Sequence, residues 1–259
     1  MIEQLRWAGS FGYPGATRRQ LEWVGRRHLE AYRGAYACCA ASRWIADGLI
    51  RDGVHHSKIR IVGYGPNHGH TCPEDRDWSR PRFLFVGWDW VRKNGDSVVR
   101  AFLALRQRFP EATLDVVGHH PPLDDPGITG HGPLSLLDQD ARATVERLFR
   151  QSTCFVMPSL IEPFGIVYVE AAMAGIPSIG TTIGGTPDSI GEGGMCVDPE
   201  DPNALLSAMI ELSDPATAAA LGRMAKARAA RLTWRFTAER ILRSADLTWP
   251  EPVELADFL

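Results

Sequence analysis

From Arg82 to Leu212 the chain alternates short apolar runs with longer amphipathic stretches, and this alternation limits the fold more than any other feature. "RFLFVG" is an unbroken apolar run of the kind buried on both faces of a parallel sheet. "GDSVVRAFLALRQRF" follows it, with Val98, Val99, Phe102 and Leu105 at helical spacing. "ATLDVVG" supplies the next strand, and His119 to Pro133 reads as a Pro- and Gly-rich loop. "LLDQDARATVERLFRQS" is helical, "CFVMPS" a strand and "IVYVEAAMAG" a helix closed by Gly175; "IPSIGT" and "MCVD" are strands, and Pro202 to Leu212 is a helix. Strands separated by helices of this length predict an α/β fold, a doubly wound parallel sheet. Helices continue from Pro215 to Ala245.

The chain before this region is sparser. "TRRQLEWVGRRH" reads as a helix with Leu21, Trp23 and Val24 on its apolar face. "GAYACCAAS" is a short strand, Ser42 caps the helix "RWIADGLIRDG", and "KIRIVGYG" is a second strand. "PNHGHTCPEDRDWSRP" is polar and broken by Pro and Gly, as a linker is. The expected division is a front part over 1–66, a linker over 67–80, a complete sheet domain over 81–235, and a C-terminal helix and tail over 236–259. "GSFGYPG" in the front part contains glycines but follows no buried strand, so it reads as plain loop.

Composition excludes several functions. Net charge is −3 and the arginines are spread along the 259 residues, which leaves no footprint for nucleic acid. No apolar run reaches the ~18 residues of a membrane span. The opening "MIEQLRWAGSFGYPG" lacks the apolar core of a signal peptide, so a cytoplasmic protein is expected. The five cysteines (Cys38, Cys39, Cys72, Cys154, Cys196) form no CxxC pair and are expected as reduced thiols. His68, His70, His119 and His120 stand beside Gly and Pro, without converging ligands, and are expected as solvated loop residues rather than a metal site.

The stretch "PSLIEPFGIVYVEAAMAGIPSIG" sets Glu162 and Glu170 eight positions apart, around an apolar segment. Open parallel sheets bind ligands beyond the carboxyl ends of their strands, and Leu160 to Gly165 is such a loop. A helix opening near Phe164 leaves the N–H groups of Gly165, Ile166 and Val167 unpaired at the positive end of the helix dipole, a site for an anion, most naturally phosphate. Glu170 then lies roughly 7–8 Å along the axis at ~1.5 Å per residue. A carboxylate on either side of a phosphate site suits a ligand with hydroxyls at both ends, because ionised carboxylates only accept hydrogen bonds. A nucleotide sugar has that layout.

These residues carry a family resemblance. "EPFGIVYVEAAMAGIPSIGTTIGGTPDSI" resembles the E-x7-E signature of the retaining glycosyltransferases of family 4, which have the GT-B fold. "RFLFVGWDWVRKNGDSVVRAF" is similar to the first strand, basic phosphate loop and helix of that family's C-terminal domain, "VGHHP" to its next strand end and "VDPEDPNALLSAMIEL" to the segment after the motif. "CAASRWIADGLIRDGVHHSKIRIVGYGPN" resembles the end of the family's N-terminal domain. The resemblance runs from about residue 36 to 243. It implies a Rossmann-like GT-B C-terminal domain with a truncated N-terminal part, and a hexosyl- or glycosyltransferase of glycan biosynthesis.

Carried over residue by residue, the resemblance gives Arg92 and Lys93 the donor diphosphate. It gives Glu162 the donor sugar hydroxyls, the backbone of Phe164, Gly165 and Ile166 the sugar and phosphate, and Glu170 the ribose. Gly87 would lie at the end of the first strand, and the loop containing His131 and Gly132 against the nucleobase. Gly184, Gly185 and Thr186 would shape a neighbouring loop or form a structural turn. No metal and no cofactor besides the nucleotide-sugar donor are implied; the acceptor would be a sugar, a lipid-linked or a small molecule, and peripheral membrane attachment stays open.

Two departures from the family pattern stand out. Trp88 occupies a position where many members carry Arg, and Asn94 replaces a glycine of the "RKGG" sub-pattern. Residues 1–66 are also too few for the family's acceptor-holding domain, so a partner chain supplying it, or a non-catalytic nucleotide-binding module, is the alternative expectation. His28 is expected to be solvated. A nucleotide-sugar epimerase of similar architecture is a third reading; a dinucleotide dehydrogenase is disfavoured because no G-x-G-x-x-G follows a predicted strand.

Overall fold

A computed structural model describes residues 15–247; the "GSFGYPG" loop lies almost wholly outside them, as do the chain's opening residues and the last part of the tail. The front part holds α1 (Arg18–Gly34), β1 (Cys38–Ala40), α2 (Arg43–Arg51) and β2 (Ile59–Ile61). The main domain follows with β3 (Arg82–Val86), α3 (Gly95–Leu105), β4 (Thr113–Val117), β5 (Ile128–Gly132), α4 (Gln139–Gln151), β6 (Cys154–Val156), α5 (Ile166–Met173), β7 (Ser178–Thr181), α6 (Thr186–Ile190), β8 (Gly194–Val197), α7 (Pro202–Glu211) and α8 (Pro215–Ala229). The last element is α9 (Trp234–Ser244).

The six strands of the main sheet are ordered β5-β4-β3-β6-β7-β8, every pairing parallel. The order reverses between β3 and β6, which makes the crevice beyond their carboxyl ends the topological switch point of a doubly wound sheet. Apolar side chains fill both faces. Phe83, Leu84, Phe85, Phe102, Leu114, Phe149 and Phe155 are essentially inaccessible, each contributing roughly 1.5–3 kcal/mol by burial. Helix starts follow capping chemistry: Asp138, Asp201 and Asp214 each accept a backbone N–H in the first turn, and Pro202 and Pro215 stand where a missing N–H costs little.

Three expectations need correction. Residues 128–132, expected inside a loop, form the edge strand β5. An edge strand needs no apolar run, so the glycines of "ITGHG" concealed it. Helix α1 runs on to Gly34, has no buried residue, and leaves Trp23 58% exposed. At 3.6 residues per turn Trp23 cannot share a face with Leu21 and Val24, which are three apart. His70 is buried rather than solvated: its ring stacks on Phe149 at 4.0 Å and its Nδ1 bonds Glu146 at 2.7 Å. Its linker, without helix or strand, is thereby fastened to α4.

The front part and the chain's end are joined. Strands β1 and β2 form a separate two-stranded parallel sheet. Helix α9 packs on it: Arg240 donates to Val62 O at 2.7 Å and the Trp234 indole to Pro66 O at 2.8 Å. Among the described residues no helix is long and apolar enough to cross a membrane, and the five cysteines are unpaired.

Candidate functional site

Two loops meet at the switch point, one leaving β3 and one leaving β6. The β3 loop runs from Gly87 to Asn94. Asp89 organises it: its carboxylate accepts from Arg92 N at 3.1 Å and lies 3.5 Å from Arg92 Nε, while its carbonyl accepts from Lys93 N at 2.9 Å. Asn94 is left-handed (φ 62°), a conformation that Asn tolerates better than other residues with a side chain. Its amide donates to Pro158 O at 3.2 Å and Pro199 O at 2.9 Å, which stitches the loops after β3, β6 and β8 together. The glycine this position lacks is thus replaced by the residue best able to keep its conformation while adding two bonds.

The β6 loop turns Glu162 inward, where it is only 7% exposed. Lys93 Nζ donates directly to Glu162 Oε2, and Arg92 Nη1 lies 3.5 Å from the same oxygen. Arg92 also donates to Ile161 O at 3.2 Å and accepts through its carbonyl from Leu160 N at 2.8 Å. Burial is the largest influence on the Lys93 ammonium and holds its pKa below the usual lysine value; Glu162 opposes that shift and Arg92 reinforces it. Two cations and the carboxylates of Glu162 and Asp89 therefore share a nearly dry spot in which the side-chain charges balance.

Gly184 and Gly185 form a cradle around this loop. Glu162 N donates to Ile183 O at 3.2 Å and Glu162 O accepts from Gly185 N at 2.8 Å. A Cβ on Gly184 would strike Glu162 O, and one on Gly185 would strike Pro163 O and Ser42 Oγ. Ser42, the cap of α2, donates to Pro163 O at 2.7 Å, and Arg43 N donates to Asp188. The front part thus braces the loop that carries Glu162. Phe164 is buried against Ala41, Val169 and Leu232.

Helix α5 opens at Ile166, the first residue of the helical stretch "IVYVEAAMAG", with Gly165 as a left-handed cap (φ 79°) and no side-chain cap bond. Gly165, Ile166 and Val167 are partly exposed, so the helix presents its first N–H groups and positive dipole end beside Lys93 and Arg92. The arrangement can hold a multiply charged anion.

The remaining expected residues sit as follows. Glu170 faces the linker, and its Oε1 accepts from Asn67 N and His68 N at 3.2 Å each. The two carboxylates thus have different partners, the phosphate-loop cations for Glu162 and the linker backbone for Glu170. Gly87 lies against Lys93 Cγ and the Phe85 ring. His131 and Gly132 end β5, two strands away; His131 Nε2 bonds Asp115 at 2.7 Å, and Gly132 N donates to His120 Nε2 at 3.1 Å. His28 is exposed and apart. Ser42 was expected only as a helix cap and Asp89 carried no site role in the sequence reading; an Asp three positions before Arg92 at a strand end was the available signal for the latter. A hollow of about 440 Å³ lies elsewhere, at the amino ends of the strands, bordered by Arg76, Asp77, Arg82 and Arg147. Two of its arginines are held structurally: Arg76 donates to the carbonyls of Phe149, Arg150, Ser152 and Ala174, and Arg82 pairs with Asp77. Among the described residues no group of three or more His, Cys, Asp or Glu is disposed to hold a metal ion.

The family description "Glycosyl transferases group 1" matches residues 80–214. A D-inositol 3-phosphate glycosyltransferase of Rhodococcus opacus is 32% identical over 227 residues, which covers 77% of this chain and 50% of that protein. The chain spans about half the length of the curated relatives it matches first. Among solved structures, sucrose-phosphate synthase from Thermosynechococcus elongatus superposes with a TM-score of 0.65 at 22% identity, over 85% of this chain and 60% of that one. HepE from Anabaena, solved with UDP and glucose, superposes with a TM-score of 0.67 at 19% identity, over 85% of this chain and 66% of that one. These likenesses establish the GT-B type of fold.

Proposed function

The chain belongs to the group 1 glycosyl transferases, and from that footing we propose that it holds the nucleotide-sugar donor of a retaining enzyme of family 4. The observation that carries this reading is the convergence of Lys93, Arg92 and the opening turn of α5 on one point beside Glu162. In this reading the diphosphate lies at the mouth of α5, with its oxygens toward Lys93 and Arg92. The donor phosphates take over these cations, and Glu162 turns its carboxylate to the sugar hydroxyls. Glu170 reaches the ribose with the oxygen that the linker leaves free, and the ends of β4 and β5, near His131 and Gly132, receive the base.

The reaction breaks the bond between the anomeric carbon and the leaving phosphate oxygen, and forms one from the acceptor oxygen on the same face of the sugar. The acceptor's hydroxyl proton passes to the leaving phosphate. Lys93, Arg92 and the helix dipole offset the charge that develops there, and the crevice orients the reactants. No metal is assigned a part in this scheme. The acceptor is a hydroxyl of a sugar, a lipid-linked or a small molecule.

A second reading is a nucleotide-binding half that needs a partner chain for its acceptor domain. The isolated β1–β2 sheet and the absence of any buried residue on α1 favour it. A thermal-shift screen of nucleoside diphosphates and their sugars against the purified chain tests the common part of both readings. A ligand at 100 times its Kd should add about 2.7 kcal/mol of stability, and Lys93→Ala should reduce the shift. No stabilisation by any nucleoside diphosphate sinks both. Transfer by the chain alone then separates the enzyme from the half-enzyme.

A further inference from the structure

The hollow of about 440 Å³ at the amino ends of the strands lies at the opposite end of the sheet from the donor crevice. Its lining joins the linker residues Asp75, Arg76 and Asp77 to Arg147 and Arg150 near the end of α4, and Arg82 at the start of β3 completes it. Four arginines against two aspartates leave two positive charges in excess. Arg76 and Arg82 have structural roles. Arg76 donates to the carbonyls of Phe149, Arg150 and Ser152, so the negative end of the α4 dipole already has its cation. Arg82 pairs with Asp77 at 3.1 Å, and hydrogen bonds from Ser79, then the charges of Arg82 and Arg80, hold the Asp77 carboxyl below its ordinary pKa. Arg147 and Arg150 have no such role. They stand three apart on one face of α4 and are exposed. Arg147 donates to a neutral group, Gln151 Oε1, at 3.3 Å, and neither arginine pairs with a carboxylate among the described residues. Burial already lowers the pKa of the nearby Arg76 to about 10, so further uncompensated cations around it are unfavourable unless an anion joins them.

We propose that this hollow is a second anion site, separate from the donor crevice, for a small phosphate ester that carries hydroxyls. Arg147 and Arg150 take the phosphate, since the guanidinium fork matches its oxygens in pairs. Arg76, pinned by backbone carbonyls, and Arg82, pinned by Asp77, add positive charge that is fixed in place. Asp75 pairs with no cation among the described residues and, as an acceptor only, suits the hydroxyls of the ester. The volume falls within the roughly 300–1,000 Å³ of small-molecule sites and exceeds what inorganic phosphate alone fills. A ligand held here joins the linker to α4, adding to the bond between His70 and Glu146 that already fastens the two.

The test is calorimetry on the whole chain at ~0.1 M salt, which screens loose surface attraction, with ribose 5-phosphate, glycerol 3-phosphate, inorganic phosphate and neutral ribose. The wild type should bind at least one of the two esters saturably and more tightly than inorganic phosphate, and should not bind ribose. Arg147→Gln and Arg150→Gln should each weaken the ester by about tenfold or more, the loss of one charge-assisted hydrogen bond. Both residues are exposed, so melting temperatures without ligand should stay near the wild type. Lys93→Ala, which removes a cation of the donor crevice, should leave ester affinity within about twofold. Hydrogen exchange on the wild type should slow at the amides of Asp75, Arg76 and Asp77 when the ester is added. The proposal is overturned if neither ester binds saturably, if inorganic phosphate binds as tightly, or if the two glutamine variants bind like wild type. Loss of binding in Lys93→Ala, or unchanged exchange at residues 75–77, also overturns it by placing the ester elsewhere. A chain that binds the ester here but no nucleoside diphosphate sinks the donor-site reading alone.

Discussion

Replacing Gly165 with alanine probes the geometry on which the anion site depends. Gly165 caps α5 at φ 79°, where an L-residue with a Cβ costs roughly 1–2 kcal/mol. The new methyl would also overlap the Tyr168 ring and come within 3.1 Å of Glu162 Cγ. The ring cannot step aside: it is buried, its hydroxyl donates to Met157 O at 2.5 Å, and it packs edge-on to Phe155 with centroids 5.6 Å apart. Overpacking of that kind costs about 1–3 kcal/mol. The sum centres on about 3.5 kcal/mol, a fall in Tm of roughly 7–14 °C for a chain of this size. Gly132→Ala is the control, since φ there is 65° but nothing lies within 4 Å of a built Cβ. It should cost only the strain of roughly 1–2 kcal/mol. Differential scanning calorimetry on both variants, followed by titration with a nucleoside diphosphate, reads out stability and the displaced N–H groups together. If Gly165→Ala melts no lower than Gly132→Ala, Tyr168 is not locked beneath the cap and the reasoning about the helix mouth fails.

Lys93→Ala should lower kcat by about 10²–10³ and weaken donor binding less, as steady-state kinetics beside calorimetry would reveal; a loss confined to KM would argue against a role on the leaving group. Because burial lowers the pKa of Lys93, its charge is lost as pH rises through a value below that of free lysine. Activity should therefore fall on the alkaline side earlier than an ordinary lysine allows, and Lys93→Arg should move that limb upward in a pH–rate profile. Glu170→Ala should weaken nucleoside diphosphate binding by about 1.5–3 kcal/mol, the value of hydrogen bonds to a charged group; unchanged affinity by calorimetry would remove Glu170 from the donor site and leave it as the clamp on Asn67 and His68. Asn94→Gly keeps the left-handed turn and loses two side-chain bonds. Asn94→Ala loses both and adds strain, so urea denaturation should find it less stable than the glycine variant by roughly 1–2 kcal/mol.

The sheet was readable because its strands are buried on both faces and so appear as apolar runs: "RFLFVG", "ATLDVVG" and "CFVMPS" became β3, β4 and β6. Strand β5 was not readable, because an edge strand can be built from "ITGHG" with hydrogen bonds alone. The anion site was legible in part. A strand end followed by Gly and an apolar helix predicts free N–H groups from local rules, and α5 has them. The partner of each carboxylate is a tertiary fact: Glu162 and Lys93 are 69 positions apart in sequence, and Glu170 and Asn67 are 103 apart. His70 was misjudged for the same reason, since nothing in "NHGH" announces a stacking partner on α4.

The long-range pairing of Glu162 gives the site a resting state that the motif alone does not suggest. Asp89 faces Arg92; a buried Lys93 without a counter-ion would carry a desolvation cost of several kcal/mol, and Glu162 supplies that charge in the free chain. An arriving diphosphate brings more negative charge than one carboxylate, so the exchange favours the ligand electrostatically and releases Glu162 to accept hydroxyls. The cradle of Gly184 and Gly185 permits this exchange, because it holds the backbone of Glu162 while leaving its side chain to turn. Calorimetry of Glu162→Gln, which keeps the shape and removes the charge, separates this account from a static one. The variant should melt lower than wild type, through unpaired Lys93, and bind a bare nucleoside diphosphate more tightly, because the carboxylate that competes for Lys93 is gone. Weaker diphosphate binding by Glu162→Gln would mean that the carboxylate assists the phosphate rather than standing in for it.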